Sequence, residues 1–282
     1  MSNPIYQEVT DKIIKELESG AQAWHKTWTL SGAPANVSSG KAYRGMNTLI
    51  LALAQSASGF QSNIWGTYQQ LKDKGYQVQK GQKSTAIVFY KPVAGKVDPD
   101  TEEVSGGYAV LKTYNVFNLA QTDAPLTAIT PAPFDALENC ELTIKETGAA
   151  IQHGGDRACY IPSVDLIQLP QKADFDAPAH YYATAFHELA HWTGAKHRLN
   201  RDFSGRFGNP AYAFEELVAE LSAAYLCAAH GVQGELRHAG YIENWLQCLR
   251  DDNRAIFKAA ALAQKAADYV QGTKYEELNA AA

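Results

Sequence analysis

Cysteine is scarce and never paired in sequence: Cys140, Cys159, Cys227 and Cys248 lie far apart, with no CxxC. That spacing excludes a thiolate zinc ribbon and a disulfide framework, so the four thiols are expected as reduced core residues. Long apolar runs are missing as well. Stretches such as Leu49 to Ala54 fall far short of the roughly 20 residues a membrane helix needs, and no transmembrane span or membrane partner is expected. The opening residues, MSNPIYQEVTDKIIKELESG, form an amphipathic pattern of acids and lysines. They lack the basic start and apolar block of a secretion signal, which points to the cytoplasm. Methionine is nearly absent, with only Met1 and Met46. What is present is an ordinary globular mixture, 46% apolar and 20% charged, which excludes a disordered, collagen-like or coiled-coil chain.

At 282 residues the chain exceeds the usual reach of one hydrophobic core, so two domains or one large α/β unit are expected. The net charge of −5 hides a split. Residues 1–97 hold 11 lysines and arginines against 5 acids, net +6, while the remainder holds 14 against 25, net −11. A basic front and an acidic back suggest two modules with different partners, the front one an anionic polymer.

Apolar periodicity predicts a first helix over Pro4 to Glu18, stopped at Gly20. A loop with aromatic anchors follows, AWHKTWTLSGAPANVSSGKAYRG, then helices over Asn47 to Gln55 and Trp65 to Lys74. The strand-like runs TAIVFYKPV and YAVLKTYNVFNL flank GKVDPDTEEVSGG, a long hairpin turn. The proline-rich segment APLTAITPAPF is the expected boundary, near residue 130, giving domains 1–130 and 131–282. Beyond it the pattern predicts a helix over Asp135 to Gly148, strands at Ala158 to Ile161 and Asp165 to Leu169, and a long helix through Tyr181 to Thr193. Three more helices run over Tyr212 to His230, Tyr241 to Leu249 and Asp252 to Val270. The fold class is therefore α+β.

The strongest chemical signal is His187-Glu188-Leu189-Ala190-His191. Histidines at i and i+4 stand one above the other on a helix, so both imidazoles reach one Zn²⁺, and Glu188 sits beside it to take a proton from bound water. A catalytic zinc site needs a third protein ligand. His197 is one candidate, because HELAHWTGAKH fits HExxHxxGxxH, with Gly194 turning the chain; that architecture also needs a downstream methionine turn, which the two upstream methionines do not provide. The other candidates are acids of FEELVAELSAAYL. There Glu216 and Glu220 share a face while Glu215 points elsewhere, and for Glu215 and Glu220 the alternative is a solvated helix face. Glu216 is the preferred third ligand, with Glu220 orienting a ligand histidine or itself binding the metal. The chemistry is metal-assisted hydrolysis of a peptide or amide bond with Glu188 as general base. The strand Asp165 to Leu169 is the expected cleft edge for an extended substrate, and Tyr160 and Tyr182 are candidate oxyanion donors.

Nonspecific single-strand binding requires a cationic groove with flat side chains, each base stack contributing ~1–3 kcal/mol. The front module offers Trp24, Trp28, Tyr43 and Trp65 as platforms and Lys26, Lys41, Arg44, Lys80 and Lys83 as phosphate partners. Tyr43-Arg44-Gly45, in a glycine-rich loop, is the preferred contact, followed by Lys80 and Lys83 around Gly81.

The run YYATAFHELAHWTGAKHRLNR, followed by YAFEELVAELSAAYL and YIENWLQCL, resembles the C-terminal zincin-like, gluzincin-type metallopeptidase domain of the ArdC family of plasmid antirestriction proteins. That domain is related to the N-terminal part of some conjugative plasmid primases. The stretches GAQAWHKTW, GKAYRGMN, IWGTYQQL and VQKGQKSTAIVFY resemble the same family's N-terminal single-stranded DNA-binding domain. One departure is Ala23 before Trp24, where the family pattern has proline. The resemblance implies a mobile-element protein that binds single-stranded DNA during conjugation, is transferred with it, and protects incoming DNA from host restriction. It places the metal motif at His187, Glu188 and His191, with the helix around Glu216 supplying the third ligand. Whether protection comes from cleaving a host protein, from shielding DNA, or from occupying the restriction enzyme stays open. A plain zinc peptidase with a protein-recognition front domain is the remaining reading.

Overall fold

The structure, a computed structural model, describes residues 4–18, 32–93, 96–97, 104–105, 108–125, 135–202, 210–232 and 242–272. Trp24, Lys26, Trp28 and the expected boundary near residue 130 lie outside the described residues.

The front half contains α1 (Pro4–Glu18), β1 (Ala35–Asn36), α2 (Met46–Ser58), β2 (Ile64–Gly66), α3 (Tyr68–Asp73), β3 (Thr85–Val93), β4 (Lys96–Val97), β5 (Val104–Ser105) and β6 (Tyr108–Asn118). Strand β3 pairs antiparallel with β6 along its whole length, from Thr85 opposite Val116 to Val93 opposite Tyr108. They extend into a four-stranded sheet of order β1-β2-β6-β3, and β4 and β5 form a separate pair. The expected helix over Trp65 to Lys74 is shorter than its pattern suggested. Thr67 caps α3 by accepting from the Gln70 amide while the Gln70 side chain accepts from the Thr67 amide, so the helix starts at Tyr68. Trp65 and Gly66 are thereby released into β2. A Cβ on Gly66 would stand 2.5 Å from Val37, so only glycine allows this close approach.

The back half contains α4 (Asp135–Glu146), β7 (Ala150–His153), β8 (Cys159–Ile161), β9 (Leu166–Leu169), α5 (Pro178–Thr193), α6 (Pro210–His230), α7 (Ile242–Asp251) and α8 (Ala255–Val270). Its three-stranded sheet has the order β7-β9-β8, with β7 parallel and β8 antiparallel to β9. The expected cleft edge therefore moves. β9 is hydrogen-bonded on both sides and has no edge to offer a substrate, whereas β8 is an outer strand among the described residues. Helix α8 carries Ala259, Ala260, Ala263, Ala266 and Ala267 fully or almost fully buried, a small-residue surface that lets α6 approach closely.

One hydrophobic core joins the two halves. Val9, Ile13 and Leu17 of α1, Met46, Leu49 and Ala52 of α2, and Val88 of β3 belong to the same buried cluster as Phe186 and Leu189 of α5, Leu217 and Leu221 of α6, and Ile256 of α8. Polar contacts reinforce the junction. Thr10 donates to the Asn253 carbonyl at 2.8 Å, the Gly45 amide donates to Gln264 Oε1 at 2.8 Å, and the Tyr225 hydroxyl donates to the Gly45 carbonyl at 2.9 Å. A second, smaller cluster of Leu51, Trp65, Ile87 and Val116 lies within the front half. All four cysteines are free, Cys140 and Cys227 buried and the other two half-buried. No helix among the described residues is long and apolar enough to cross a membrane.

Candidate metal centre

Helix α5 begins on Pro178, whose fixed φ suits the first turn, and runs almost wholly buried from Tyr181 to Ala190. Its motif histidines face α6. The Nε2 atoms of His187 and His191 are 3.1 Å apart, and the Glu216 carboxylate lies 3.6 Å from the first and 3.5 Å from the second. These three ligand atoms fall within 4.8 Å of one another. The opposite ring nitrogens face other acids of α6: His187 Nδ1 lies 3.4 Å from Glu220, and His191 Nδ1 lies 3.2 Å from Glu215. With an α6 carboxylate beside each Nδ1, the two Nε2 atoms and a Glu216 oxygen converge on one point. Three electron-rich atoms so close together are stabilised by a divalent cation, and two imidazoles with one carboxylate suit zinc-type ions. The residues present fit such an ion.

The electrostatics make the same demand. Burial works against a charged His187, but Glu216, Glu220 and Glu188 outweigh it and raise its affinity for a proton well above the ordinary value. Burial likewise opposes ionisation of Glu216. The hydrogen bond from His187, the charges of both histidines and a hydrogen bond from Tyr212 prevail, and hold its carboxyl down at about 2. Tyr212, one turn before Glu216 on α6, escaped notice in the sequence. Glu188 follows His187 on the helix and is 7% exposed.

The alternative of a solvated helix face for Glu215 and Glu220 does not hold; they are 5% and 1% exposed. Glu215 receives two hydrogen bonds from Arg201, Nε to Oε2 and Nη2 to Oε1, both 2.9 Å, and faces His191 through Oε1. Arg201 also donates to Thr193 Oγ1 at 2.9 Å and to the Ala190 carbonyl, which ties the end of α5 to α6. Desolvation opposes charge on Glu215, but His191 and Arg201 keep its carboxyl below the usual range.

His197 stands apart from this cluster. Its side chain is 65% exposed, its Nε2 is 2.6 Å from Arg198 Nη1 and 3.5 Å from Asp165, and Gly194 continues in helical geometry (φ −74°) instead of returning the histidine to the site. The proposed oxyanion donors are also committed elsewhere. Tyr160 donates to Asp165 at 2.8 Å and Tyr182 to Glu141 at 2.7 Å; burial followed by those carboxylates pushes Tyr160 up to about 12, and Tyr182 also upward. Arg198 pairs with Asp165 and stacks 3.9 Å above the Trp192 ring.

Among the front-module candidates, Trp65 is fully buried against Leu51, Ile87 and Val116, edge-on to Phe60 at 5.9 Å. Its indole is closed to a base because this cluster covers it completely. Tyr43 is half-buried, its hydroxyl accepting from Asn36 at 3.0 Å, and burial raises its pKa. Arg44 is exposed yet pairs with Asp268 of α8. Lys41, Lys80 and Lys83 are exposed.

Residues 3–117 match the N-terminal domain of the anti-restriction factor ArdC, and residues 138–262 match the zincin-like metallopeptidase family. The chain is 42% identical over 281 residues to the uncharacterised protein y4eC of Sinorhizobium fredii, covering 94% of this chain and 91% of that one. It is 37% identical over 289 residues to the DNA primase TraC of Escherichia coli, of which it spans only 20%. Among solved structures, the metal-free antirestriction protein ArdC of plasmid R388 superposes with a TM-score of 0.79 at 41% identity, covering 96% of this chain and 98% of that chain. Its Mn(II)-bound form gives 0.75 at 40% identity, covering 95% and 97%. The architecture is thus two-domain, an ArdC-type N-terminal domain followed by a zincin-like domain, and the metal-bound relative agrees with a divalent-ion site here. On similarity of this extent over both halves, the chain belongs to the ArdC family of antirestriction proteins.

Proposed function

We propose that this chain binds single-stranded DNA through its front module, residues 1–130, and hydrolyses a peptide or amide bond at a zinc centre in residues 131–282. In this reading it protects incoming plasmid DNA from restriction in the host cytoplasm. The observation that carries the catalytic half is the convergence of His187 Nε2, His191 Nε2 and Glu216 at 3.1–3.6 Å on two buried helices, with Glu188 beside them. Those three side chains would hold the ion, which when bound polarises a carbonyl and acidifies water. Glu188 takes the proton of the attacking water and returns it to the leaving amine. Tyr212, hydrogen-bonded to Glu216, steadies the carboxylate that would hold the ion. The outer strand β8 is positioned to pair with an extended substrate. A host restriction enzyme is the protein substrate this reading favours.

The test is Glu188→Gln in the full chain, scored for protection of unmodified DNA against a restriction host, with metal content measured in parallel. Loss of protection with metal retained supports proteolysis. Protection that survives the substitution assigns it to DNA shielding or to occupation of the restriction enzyme, with the ion serving structure. The DNA half is tested by fluorescence anisotropy on single- and double-stranded oligonucleotides over a salt series, where a steep salt dependence and single-strand preference are expected.

A further inference from the structure

Helix α8 belongs to the acidic half of the chain, yet its only acid, Asp268, is buried against Arg44 of the front half. Its exposed charges are all positive. Arg254, at the helix cap, Lys258 and Lys265 recur at spacings of four and seven, which puts them on one face together with the exposed Ala261. Arg44 meets the far end of the same face through Asp268. This cationic stripe borders a cleft of about 590 Å³ between the two halves, lined among others by Tyr6, Arg44, Phe89, Arg254, Phe257 and Lys258.

Flat rings stand at the rim of this cleft, where Phe89 lines it, and continue past the free edge of β3 onto the sheet face opposite Val88 and Leu111. Phe89 on β3 is 43% exposed and Tyr114 on β6 is 47% exposed, their centroids 6.0 Å apart and edge-on. Lys112 lies directly opposite Phe89 in the ladder, on the same sheet face and in solvent. Within the cleft, Tyr6 packs edge-on to Phe257 at 4.7 Å and carries the Arg254 guanidinium 5.0 Å above its ring. Exposed aromatic rings serve unpaired bases, whereas in a duplex the base faces are already stacked, and a line of cations serves phosphates.

We infer that a single DNA strand runs through this interdomain cleft, its phosphates along Arg254 and Lys258 and its bases meeting Phe89 at the rim and Tyr114 just beyond it, so that the metallopeptidase half contributes directly to DNA binding. The inference rests on the single-strand reading above, whose preferred contact around Arg44 and Gly45 lines the same cleft. Lys258 is held at 2.8 Å by Asp252 on the exposed surface, and phosphate competes with that carboxylate.

The experiment is oligonucleotide anisotropy with the full chain across a salt series, comparing wild type, Arg254→Glu/Lys258→Glu, Phe89→Ala, Asp252→Asn, and Lys145→Glu as an exposed control outside the cleft. The double reversal is expected to weaken binding at least tenfold and to reduce the slope of log K against log salt by about 1.4, since each lost single-strand phosphate contact contributes about 0.7. Phe89→Ala should weaken binding without changing the slope. Asp252→Asn, which frees Lys258 while keeping the side-chain oxygen that accepts from the Arg254 amide, should tighten binding about two- to threefold, a direction a damaged fold does not produce. Lys145→Glu should leave affinity unchanged. If wild type binds and the double reversal binds equally well with the same slope, the cleft inference is wrong. If wild type does not bind single strands, the single-strand reading itself falls.

Discussion

Each motif histidine is held by a carboxylate from α6, and the two holders differ in how they are themselves supported. Glu220 faces His187 inside the helix packing, whereas Glu215 is clamped by two hydrogen bonds from Arg201. Removing the charge of Glu215 should loosen the His191 ring and lower metal affinity 10–100-fold, the usual cost of losing such a partner. Chelator competition on Glu215→Gln measures this without reference to activity; affinity equal to wild type would show that the clamp orients nothing. A second residue-scale prediction concerns Asp165. The hydrogen bond from Arg198, opposed by some desolvation, holds its carboxyl at about 2, below the ordinary 3.8. Because the folded value is the lower one, the pair stabilises the fold above pH ~4 and loses that contribution as pH falls through about 2. The difference in denaturant midpoint between wild type and Asp165→Asn should therefore be flat from pH 5 to 7 and shrink on acidification below ~4. At this scale the sequence was legible where one helix carries the pattern. The i, i+4 spacing of His187 and His191, and of Glu216 and Glu220, follows from 3.6 residues per turn. Arg201 was not legible, because its partners come together only when the chain after α5 folds back onto α6. Trp65 misled for the opposite reason: an aromatic in a basic segment looks like a platform until the sheet and α2 are found packed over it.

At the scale of elements, β3 is an outer strand of its sheet whose free edge is pinned by a side chain. Asn47 accepts from the Val88 amide at 2.8 Å and donates to the Val88 carbonyl at 2.7 Å, replacing a neighbouring strand. Asn47→Ala should destabilise the protein by about 1–3 kcal/mol, since both backbone groups lose their partner, and a urea midpoint measures it. The α6–α8 contact makes a complementary prediction. Ala263 is fully buried there, and Ala263→Leu should cost about 1–3 kcal/mol by overpacking, read as a drop in Tm. The long strands β3 and β6 and the helices of the back half announced themselves by alternation and by helical period. The short strands β1 and β7 did not, because two to four residues carry too little pattern. The centrality of β9 depends on β7 pairing parallel to it, which no local signal encodes.

For the whole molecule, the charge split marked two modules correctly but said nothing about how firmly they are joined. The shared core places apolar faces of α1 and α2 against α5, α6 and α8, so the front half alone would expose Val9, Ile13, Leu17 and Leu49. Thermal unfolding of the full chain should accordingly show one transition by both tryptophan fluorescence and far-ultraviolet dichroism; two separated transitions would mean that the halves fold independently.

The junction at Gly45 reaches further than its size suggests. This loop glycine is fastened on both sides of its peptide by the back half, its amide by Gln264 and its carbonyl by Tyr225. Loop amides ordinarily trade their hydrogen for deuterium within fraying motions, whereas those bonded across a core wait for larger openings. The Gly45 amide should therefore exchange on the slow timescale of buried α8 amides such as Ala263. A single glycine in the front half would then act as a clock for the separation of the two.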